Sequence, residues 1–291
     1  MGNEALNKRK GSPNDEWYTR ESVVRAELIH YKEQLRGKTI LCPANDTPNS
    51  AFIRALRSVQ EEWEIPEIAG ILYEPNGTGK IWRYPLNCIP VVASLSDDGS
   101  LFGQAVAAEM KHYDIVITNP PFSLFREVLT FLWEKQKQFL LLGNQNMFTY
   151  KDVFSALKDE SLQIGYTYGD ARFNVPENTE PRKTRYGIDS EGTWCSLGNM
   201  CWLTNLKVND KPFIPLKTVY DPSVNKHYDS YDAVEVGRVA AIPSDYDGLM
   251  GVPITFLVKW NPTQFKLIDS IKPTLAGKRL YQRIIIRRKD N

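Results

Sequence analysis

The chain has 291 residues, of which 42% are hydrophobic and 24% are charged, and its formal net charge is +1. This length fits one large α/β domain with or without a small appendage, and the hydrophobic content excludes a chain that is disordered throughout. No apolar run approaches the roughly 18 residues of a membrane-spanning helix, and residues 1–14 lack the apolar core of a signal peptide. We therefore expect a soluble protein.

The cysteines and histidines argue against a metal site. The four cysteines (Cys42, Cys88, Cys195 and Cys201) are scattered without a Cys-x-x-Cys pair, and the chain contains three histidines. Zinc sites need closer ligand spacing than this. The pattern indicates reduced thiols and no metal cofactor.

The first predicted element is a helix that follows a polar N-terminal segment. Residues 1–14 are predicted to be disordered, and a polar-aromatic cluster, Asp15-Glu16-Trp17-Tyr18-Thr19, comes after them. The helix is indicated by apolar residues on one face and by a glycine that ends it: Val24, Leu28, Tyr31, Leu35 and Gly37. Further along, the patterns predict strands over 39–41, 68–73, 89–93, 114–118 and 139–142, and helices over 49–63, 101–111 and 125–132.

This alternation of strands and helices is typical of a parallel sheet covered by helices. Ligands of such sheets bind beyond the carboxyl ends of the strands, where this chain carries short polar clusters. After about residue 161 glycine, proline and aromatic residues become dense, and β-like runs occur at 200–204 and 254–258. We expect a mostly parallel α/β fold with helices on both faces, followed from about residue 207 by a smaller, irregular C-terminal region.

The strongest chemical signal is Asn119-Pro120-Pro121-Phe122, directly after the strand predicted over 114–118. The N6 amine of adenine is a poor nucleophile because its lone pair is delocalised into the ring. The side-chain oxygen of Asn119 and the carbonyl of Pro120 can each accept one N–H, which favours a pyramidal nitrogen whose lone pair can attack a methyl group. Because proline lacks an N–H and fixes φ, the proline pair holds this carbonyl rigidly.

Phe122 completes this arrangement with a flat face on which a base extruded from DNA can stack. Proximity and orientation then supply much of the acceleration of a single displacement, which needs no metal. The alternative is a rigid strand-to-helix turn with proline at the first helical positions. The tetrapeptide favours a methyltransferase acting on a planar amine.

Several segments resemble the EcoRI-type adenine-specific DNA methyltransferases. The resemblance rests on 15–19 (DEWYT), 42–52 (CPANDTPNSAF) and 114–125 (DIVITNPPFSLF), the last being the most specific. It continues in 231–236 (YDAVEV), 250–256 (MGVPITF) and the basic C-terminal tail, so it covers nearly the whole chain.

The resemblance implies a Rossmann-like fold, S-adenosylmethionine as the methyl donor and a site in double-stranded DNA as the substrate. It implies catalytic roles for Asn119, Pro120, Pro121 and Phe122, and cofactor contacts for Tyr18, Thr19, Asp46 and Asn119. It also implies a cytoplasmic protein of bacterial or phage type. A restriction-modification system with a cognate restriction endonuclease is compatible with it, and the oligomeric state is left open.

The loop after the first predicted strand departs from most methyltransferases. Residues 42–50 contain no glycine, whereas a glycine-rich loop usually lets the cofactor approach the backbone. The EcoRI-type family diverges in the same loop. A DNA-binding relative that has lost catalysis is therefore a competing interpretation.

Carboxylates at two other strand ends are candidate cofactor ligands. Glu74 follows the second predicted strand, 68–73, where a carboxylate commonly accepts hydrogen bonds from ribose hydroxyls; the alternative is an exposed loop glutamate. Asp97 or Asp98 follows the next strand, where an acceptor can bind the adenine amine of the cofactor; the alternative is a plain Asp-Asp-Gly turn. Residues 76–79 (NGTG) are predicted to form a turn.

The C-terminal end is strongly basic. Its positive residues are Lys278, Arg279, Arg283, Arg287, Arg288 and Lys289. Interleaved Tyr281 and the apolar run 284–286 indicate a strand whose other side packs on the body of the protein. Such a cluster binds DNA phosphates with strong salt dependence. A solvated surface is the alternative, both here and for the shorter run Arg182-Lys183-Arg185.

Three regions are therefore predicted: 1–14, disordered; 15–206, a methyltransferase catalytic domain; and 207–291, a region for target recognition and DNA binding. The predicted function is sequence-specific methylation of adenine N6 in double-stranded DNA, with Phe122 and the C-terminal cluster contacting the DNA. A methyltransferase that acts on RNA or on a protein amide is the second interpretation.

Overall fold

The computed structural model describes residues 18–44, 46–177, 179–181, 183–209 and 211–289. The disorder predicted for 1–14, the cluster residues Asp15, Glu16 and Trp17, and Arg182 lie outside these residues. The chain divides into two compact units, one formed by residues up to 144 with 165–206, the other by 145–164 with the residues from 207 onward. None of the described helices is long and apolar enough to cross a membrane.

The first unit is built on a ten-stranded sheet. Its strands are β1 (Tyr18–Thr19), β2 (Ile40–Cys42), β3 (Glu67–Leu72), β4 (Lys80–Pro85), β5 (Val91–Ser94), β6 (Ile115–Thr118), β7 (Gln138–Asn144), β8 (Gln163–Asn174), β9 (Tyr186–Asp189) and β10 (Gly192–Thr204). Its helices are α1 (Glu21–Leu28), α2 (Lys32–Leu35), α3 (Ala51–Arg57), α4 (Gln104–Glu109) and α5 (Phe125–Glu134), with 3₁₀ turns at Ile29–Tyr31, Met110–His112 and Phe122–Leu124.

The strands lie in the order β1-β8-β10-β7-β6-β2-β3-β4-β5, and β9 pairs with β10 outside this path. The central strands β7, β6, β2 and β3 are parallel, whereas the strands on either side of them pair antiparallel. The mostly parallel sheet expected from the sequence is thus a mixed sheet with a parallel centre. The carboxyl ends of the four central strands meet at one edge.

Burial explains why the parallel strands occupy the centre. Parallel sheets are covered on both faces and therefore read as continuous apolar runs. Every residue of β2 and β6 is buried, as are the residues from Phe139 to Gly143 in β7. The strand end that carries the tetrapeptide is consequently held from both sides.

The elements predicted in the first half are present, with differences at their ends. The apolar residues of the first predicted helix are all buried across α1, the following 3₁₀ turn and α2, and Gly37 follows with φ +68°. The helix predicted over 49–63 is shorter and ends at Arg57. Residues 76–79 form the predicted turn. The turn leads into β4, an antiparallel partner of β3 that was not predicted from the sequence. The burial of β4 follows no simple alternation, so its sequence lacks the pattern of a half-buried strand.

The second unit contains a four-stranded sheet in the order β11-β12-β16-β13 and a separate two-stranded ribbon, β14-β15. Its elements are α6 (Lys151–Lys158), β11 (Val234–Glu235), β12 (Met250–Pro253), β13 (Phe265–Ile271), β14 (Thr274–Leu275), β15 (Lys278–Arg279), β16 (Arg283–Arg288) and 3₁₀ turns at Gln145–Thr149, Val239–Ala241 and Ile254–Lys259. The β-like run expected at 254–258 is wrong, since these residues form a 3₁₀ helix. Short apolar runs do not distinguish a buried strand from a buried helical segment.

Residues 145–164 pack within the second unit, whereas the sequence analysis assigns them to the catalytic domain. Nζ of Lys158 on α6 donates to the carbonyl of Ile268 at 2.8 Å. The backbone N–H of Val208 donates to Oε1 of Gln163 at 2.8 Å. Side-chain contacts between segments distant in sequence therefore decide where this helix belongs.

A buried carboxylate on α1 joins this helix to β8 inside the first unit. Glu27 is fully buried and accepts hydrogen bonds from the hydroxyl of Tyr31 at 2.8 Å, the backbone N–H of Tyr166 at 2.9 Å, and both the N–H and the hydroxyl of Thr167 at 2.7 Å. Gly165 makes this approach possible, because a Cβ there would lie 2.1 Å from Oε1 of Glu27. Four donors compensate for the burial of the charge.

We expect Glu27→Gln to lower the free energy of unfolding by about 2 kcal/mol or more, because one acceptor becomes an N–H₂ group that faces donors. Urea unfolding followed by circular dichroism measures this loss. Glu33→Gln is the matched control: the Glu33 side chain is 78% exposed and its Oε2 lies 3.6 Å from Nε of Arg36, so its loss should change stability by less than about 0.5 kcal/mol. Equal stabilities of the two variants would contradict the role of Glu27.

Candidate active site at the end of the central strand

The tetrapeptide leaves β6 at the carboxyl edge of the parallel strands. Pro120 is buried, and the carbonyl of Pro121 accepts the backbone N–H of Leu124 at 2.9 Å as the 3₁₀ turn begins. Helix α5 starts directly afterwards, at Phe125. The two prolines therefore form a rigid strand-to-helix turn. Any chemical role of the turn depends on the side chains of Asn119 and Phe122.

The amide of Asn119 has one end paired and the other end unpaired. Its Nδ2 donates to Oγ1 of Thr19 at 3.1 Å. Its Oδ1 is buried, and no described residue hydrogen-bonds to it. Leaving a buried acceptor unpaired costs about 1–3 kcal/mol, so such atoms are rare. An acceptor in this position can receive an N–H from a ligand.

Phe122 is half-buried and its ring packs against another aromatic ring of the first unit. Its ring centroid lies 6.3 Å from that of Phe173 on β8, and the two planes are inclined by 88°. Edge-to-face packing of this kind fixes the orientation of a ring. Phe122 is thus held at the same strand end as Asn119.

The loop after β2 is tied to the residue that precedes Asn119. The hydroxyl of Thr118 donates to Oδ2 of Asp46 at 2.8 Å, and the Asp46 side chain is almost completely buried. Burial raises the pKa of Asp46 to about 7, although hydrogen bonds from Thr118, Ser50 and the backbone of Ala44 act in the opposite direction. The loop that carries Asp46 is therefore fixed to the end of β6, directly before the tetrapeptide.

The loop 42–50 contains no glycine, but a glycine on the neighbouring strand β3 makes room for its backbone. A Cβ at Gly70 of β3 would lie 2.1 Å from the backbone carbonyl oxygen of Asp46. The loop backbone therefore packs directly against β3, and any side chain at position 70 would displace it. Sequence reasoning searched for glycine within the loop and missed this position.

Two further predicted cofactor ligands lie along the same edge. Because β4 is antiparallel to both β3 and β5, strands β3 and β5 run in the same direction and end together. Glu74 is exposed there, and its backbone N–H donates to the carbonyl of Asp98 at 2.9 Å. Asp97 accepts the backbone N–H of Gly99 at Oδ1 and that of Ala105 at Oδ2, both at 2.9 Å. It thereby forms the Asp-Asp-Gly turn and caps α4.

The structure gathers some predicted site residues and separates others. Thr19 contacts Asn119 directly, and Asp46 contacts Thr118, the residue before Asn119. Tyr18 is 62% exposed in the short strand β1. Thr118 was not singled out from the sequence, although its position directly before the tetrapeptide was a usable signal. Among the described residues, no group of His, Cys, Asp or Glu side chains could hold a metal ion.

The basic C-terminal residues fall into two groups within the second unit. The exposed ones are Lys278, Arg279, Arg287 and Lys289, and exposed Tyr281 follows the first two. Arg283 instead pairs with Glu235, its Nη2 lying 2.8 Å from Oε1, and the two side chains are only 15% and 14% exposed. Arg288 pairs with Asp247 through Nη2 and Oδ1 at 2.7 Å. In the shorter basic run, Lys183 and Arg185 are exposed.

We expect Asp46→Asn to change how stability depends on pH. Burial raises the pKa of Asp46 from 3.8 to about 7 in the folded state, so the folded state retains a proton that the unfolded state releases between these values. The contribution of Asp46 to the free energy of unfolding therefore falls as pH rises through this interval. Relative to wild type, the variant should gain stability between about pH 5 and about pH 8 in urea unfolding. A difference that is constant with pH would contradict the shifted pKa.

The chain matches the family described as adenine-specific methyltransferase EcoRI over residues 5–84 and 80–287. It is 35% identical to the Type II methyltransferase M.EcoRI of Escherichia coli over 317 aligned residues, which cover 99% of this chain and 97% of the relative. It is 31% identical to the Type II methyltransferase M.MpnI of Mycoplasma pneumoniae, with 98% of both chains covered. No solved structure matches it at a significant level. The family match spans nearly the whole chain and includes the strand end that carries the unpaired Asn119 oxygen, so the chain belongs to the EcoRI family of adenine-specific methyltransferases.

Proposed function

We propose that this DNA methyltransferase transfers a methyl group from S-adenosylmethionine to N6 of an adenine that is flipped out of double-stranded DNA. The observation that carries the proposal is the buried Oδ1 of Asn119, which has no partner among the described residues and lies at the edge where parallel sheets bind ligands. The exocyclic amine of adenine provides the N–H that this oxygen lacks.

Asn119 and Pro120 act on the nitrogen that is methylated. Oδ1 of Asn119 accepts one N–H of the amine, and the carbonyl of Pro120 accepts the other. Both bonds draw the nitrogen out of conjugation with the ring and direct its lone pair away from the two acceptors. The bond from nitrogen to methyl would form as the bond from methyl to the donor sulfur breaks, which leaves a neutral thioether. The same two oxygens stabilise the positive charge that builds on the amine until it releases a proton to water.

Phe122 holds the adenine by stacking, and Pro121 fixes where its ring lies. A base outside the duplex has lost its stacking energy, and an aromatic face restores part of it. The edge contact of Phe122 with Phe173 keeps the ring in one orientation. The base and its amine are thereby positioned by two residues that are separated by a rigid proline pair.

The cofactor would be held along the edge at which β2, β3 and β5 end. When bound, S-adenosylmethionine supplies a methyl group made electrophilic by a positively charged sulfur. The residues proposed to bind it are Tyr18, Asp46, Glu74 and Asp97. The family resemblance implies the same contact for Thr19 and Asn119, but the hydroxyl of Thr19 and the amide of Asn119 bond to each other, and we do not assign these two residues to the cofactor. Carboxylates can accept hydrogen bonds from its hydroxyl and amino groups. The backbone of the Asp46 loop packs against Gly70 at this edge. Asp97 keeps one lone pair on each oxygen beyond its contacts within the turn.

DNA phosphates would be contacted by the exposed basic residues of the second unit. We assign this role to Lys278, Arg279 and Arg287, whose charges face solvent. Arg283 and Arg288 were predicted for the same role, but their guanidinium groups pair with carboxylates. For these two we propose a contribution to the fold of the unit.

The substrate class can be tested against the two alternatives. The protein is incubated with labelled S-adenosylmethionine and, in parallel, with unmethylated DNA duplex, RNA or a glutamine-containing peptide. Label should enter only the duplex, on adenine N6. Label confined to RNA or peptide would contradict the proposal, and so would DNA binding without any calorimetric signal from the cofactor.

By analogy with the Type II names of the relatives, we also propose a cognate restriction endonuclease for the same DNA sequence.

Asn119→Ala should lower kcat by at least about 10²- to 10³-fold, because it removes an acceptor that stabilises developing charge. The affinity for S-adenosylmethionine, measured by calorimetry, should change little. Asn119→Asp is the matched variant, since it keeps an acceptor oxygen in place, and it should retain more turnover than Asn119→Ala. Wild-type activity in Asn119→Ala would refute the assignment of Asn119.

Replacing Lys278 and Arg279 together by Ala should weaken DNA binding and flatten its salt dependence. Each lost phosphate contact reduces the slope of log K against log salt by about 0.9, so the double variant should lose roughly 2 from the slope. Fluorescence anisotropy at several salt concentrations measures this. Lys38→Ala with Lys111→Ala is the control, because both lysines are exposed next to the amino ends of β2 and β6. An unchanged slope in the Lys278 and Arg279 variant would contradict the proposed contact.

A further inference from the structure

We infer that Thr19 is a positioning residue that orients the side-chain amide of Asn119, and that Arg20 holds Thr19 in place for this task. The inference rests on the function proposed for Asn119. The two ends of an amide have nearly the same shape, but only the oxygen accepts a hydrogen bond. A half-turn of the amide would set its N–H₂ group against the adenine amine. Turnover therefore requires that the amide be held in place with its oxygen towards the adenine.

The hydroxyl of Thr19 anchors the end of the amide that faces away from the adenine. Its oxygen lies 3.1 Å from Nδ2 of Asn119, and the residue is only 8% exposed, so solvent does not readily replace it. When the adenine amine donates to Oδ1, Nδ2 is the end of the amide that remains for Thr19. Both ends of the amide then have a hydrogen-bond partner. In the flipped amide, the N–H₂ group of Asn119 would face the N–H₂ group of the adenine, and neither can accept.

In the part of the chain that the structure describes, β1 consists of Tyr18 and Thr19, and so short a strand needs an anchor of its own. The next residue, Arg20, supplies it: its guanidinium is 5% exposed and donates from Nε to Oδ1 of Asn174 at 2.8 Å and from Nη1 and Nη2 to the carboxylate of Asp189 at 2.8 and 2.9 Å. Arg20 also holds the pKa of Asp189 below its ordinary value, which keeps the pair charged. A buried guanidinium without these partners would be costly, so β1 is held in a single register.

The same pair of strands contacts the other end of the tetrapeptide. In the antiparallel pairing of β1 with β8, Thr19 lies opposite Phe173, and Phe173 packs edge-on against Phe122. The residue proposed to accept the amine and the residue proposed to stack on the base are therefore both held by β1 and β8. A shift of β1 would move Asn119 without moving Phe122 equally.

A positioning role differs measurably from the cofactor contact that the family resemblance implies for Thr19. Loss of a cofactor contact raises KM for the cofactor, whereas misorientation of Asn119 lowers kcat and leaves binding in place. Thr19→Val removes the hydroxyl and keeps the shape of the side chain. We expect kcat to fall about 10- to 100-fold, with KM for DNA and for S-adenosylmethionine, and the calorimetric Kd for the latter, changed by less than about 3-fold.

Three variants separate positioning from stability. Thr19→Ser keeps the hydroxyl and should restore most of kcat. Thr204→Val is the control for loss of a buried hydroxyl elsewhere, since the Thr204 hydroxyl donates to the carbonyl of Phe139 at 2.5 Å; it should lower the unfolding temperature and leave kcat intact. Arg20→Lys keeps the charge without the forked geometry, so it should lower kcat, and its effect should not multiply with that of Thr19→Val in the double variant.

The possible outcomes distinguish this inference from the function on which it rests. If Asn119→Ala is inactive while Thr19→Val keeps the wild-type kcat, the inference is wrong and the proposed function stands. The same holds if Thr19→Val loses activity only through a higher KM for the cofactor, or if Thr19→Ser is as impaired as Thr19→Val. An active Asn119→Ala would overturn the proposed function itself.

Discussion

Two consecutive residues at the end of β6 hold the site together by hydrogen bonds to different parts of the chain. Thr118 donates to Asp46 in the loop after β2, and Asn119 donates to Thr19 in the N-terminal strand. Thr118 is the last residue of β6 and Asn119 is the first residue after it, so one strand end binds two separate segments. The loop that carries Asp46 and the N-terminal strand β1 are both fixed to this point.

This arrangement explains how an unpaired oxygen can persist in a packed interior. An isolated buried acceptor favours any movement that lets it find a donor, but β6 is fully buried between β2 and β7 and cannot shift. The unfavourable contribution, about 1–3 kcal/mol, is borne by the cooperativity of the sheet. In the proposed reaction the oxygen is already oriented, so its bond to the substrate amine would strengthen as charge develops, which is the condition for lowering the barrier and not only for binding.

The second unit shows that local surroundings give residues of one type different roles. Arg283 begins β16, between β12 and β13, where Glu235 and Tyr228 surround it. Lys278 and Arg279 follow a tight turn whose residues Ala276 and Gly277 both have positive φ and donate their backbone N–H groups to the carboxylate of Asp229. The turn is therefore rigid, and the charges beside it face solvent. Counting basic residues predicts a cluster, whereas pairing divides it into a buried part and an accessible part.

The sequence by itself determined the chemistry and the order of the central elements. Asn119-Pro120-Pro121-Phe122 predicts a methyltransferase, because a side-chain amide oxygen and a rigidly held carbonyl can each accept one N–H of a planar amine. The buried parallel strands can be predicted because they are continuous apolar runs. Tertiary structure alone decided that the flanking strands are antiparallel, that residues 145–164 pack in the second unit, and that Arg283 pairs with Glu235. It also decided that Gly70 lies against a loop that has no glycine of its own. Each depends on contacts between residues far apart in the chain, and periodicity and composition report only what neighbours along the chain have in common. The partner of Asn119 lies a hundred positions before it, at a distance over which no local pattern extends.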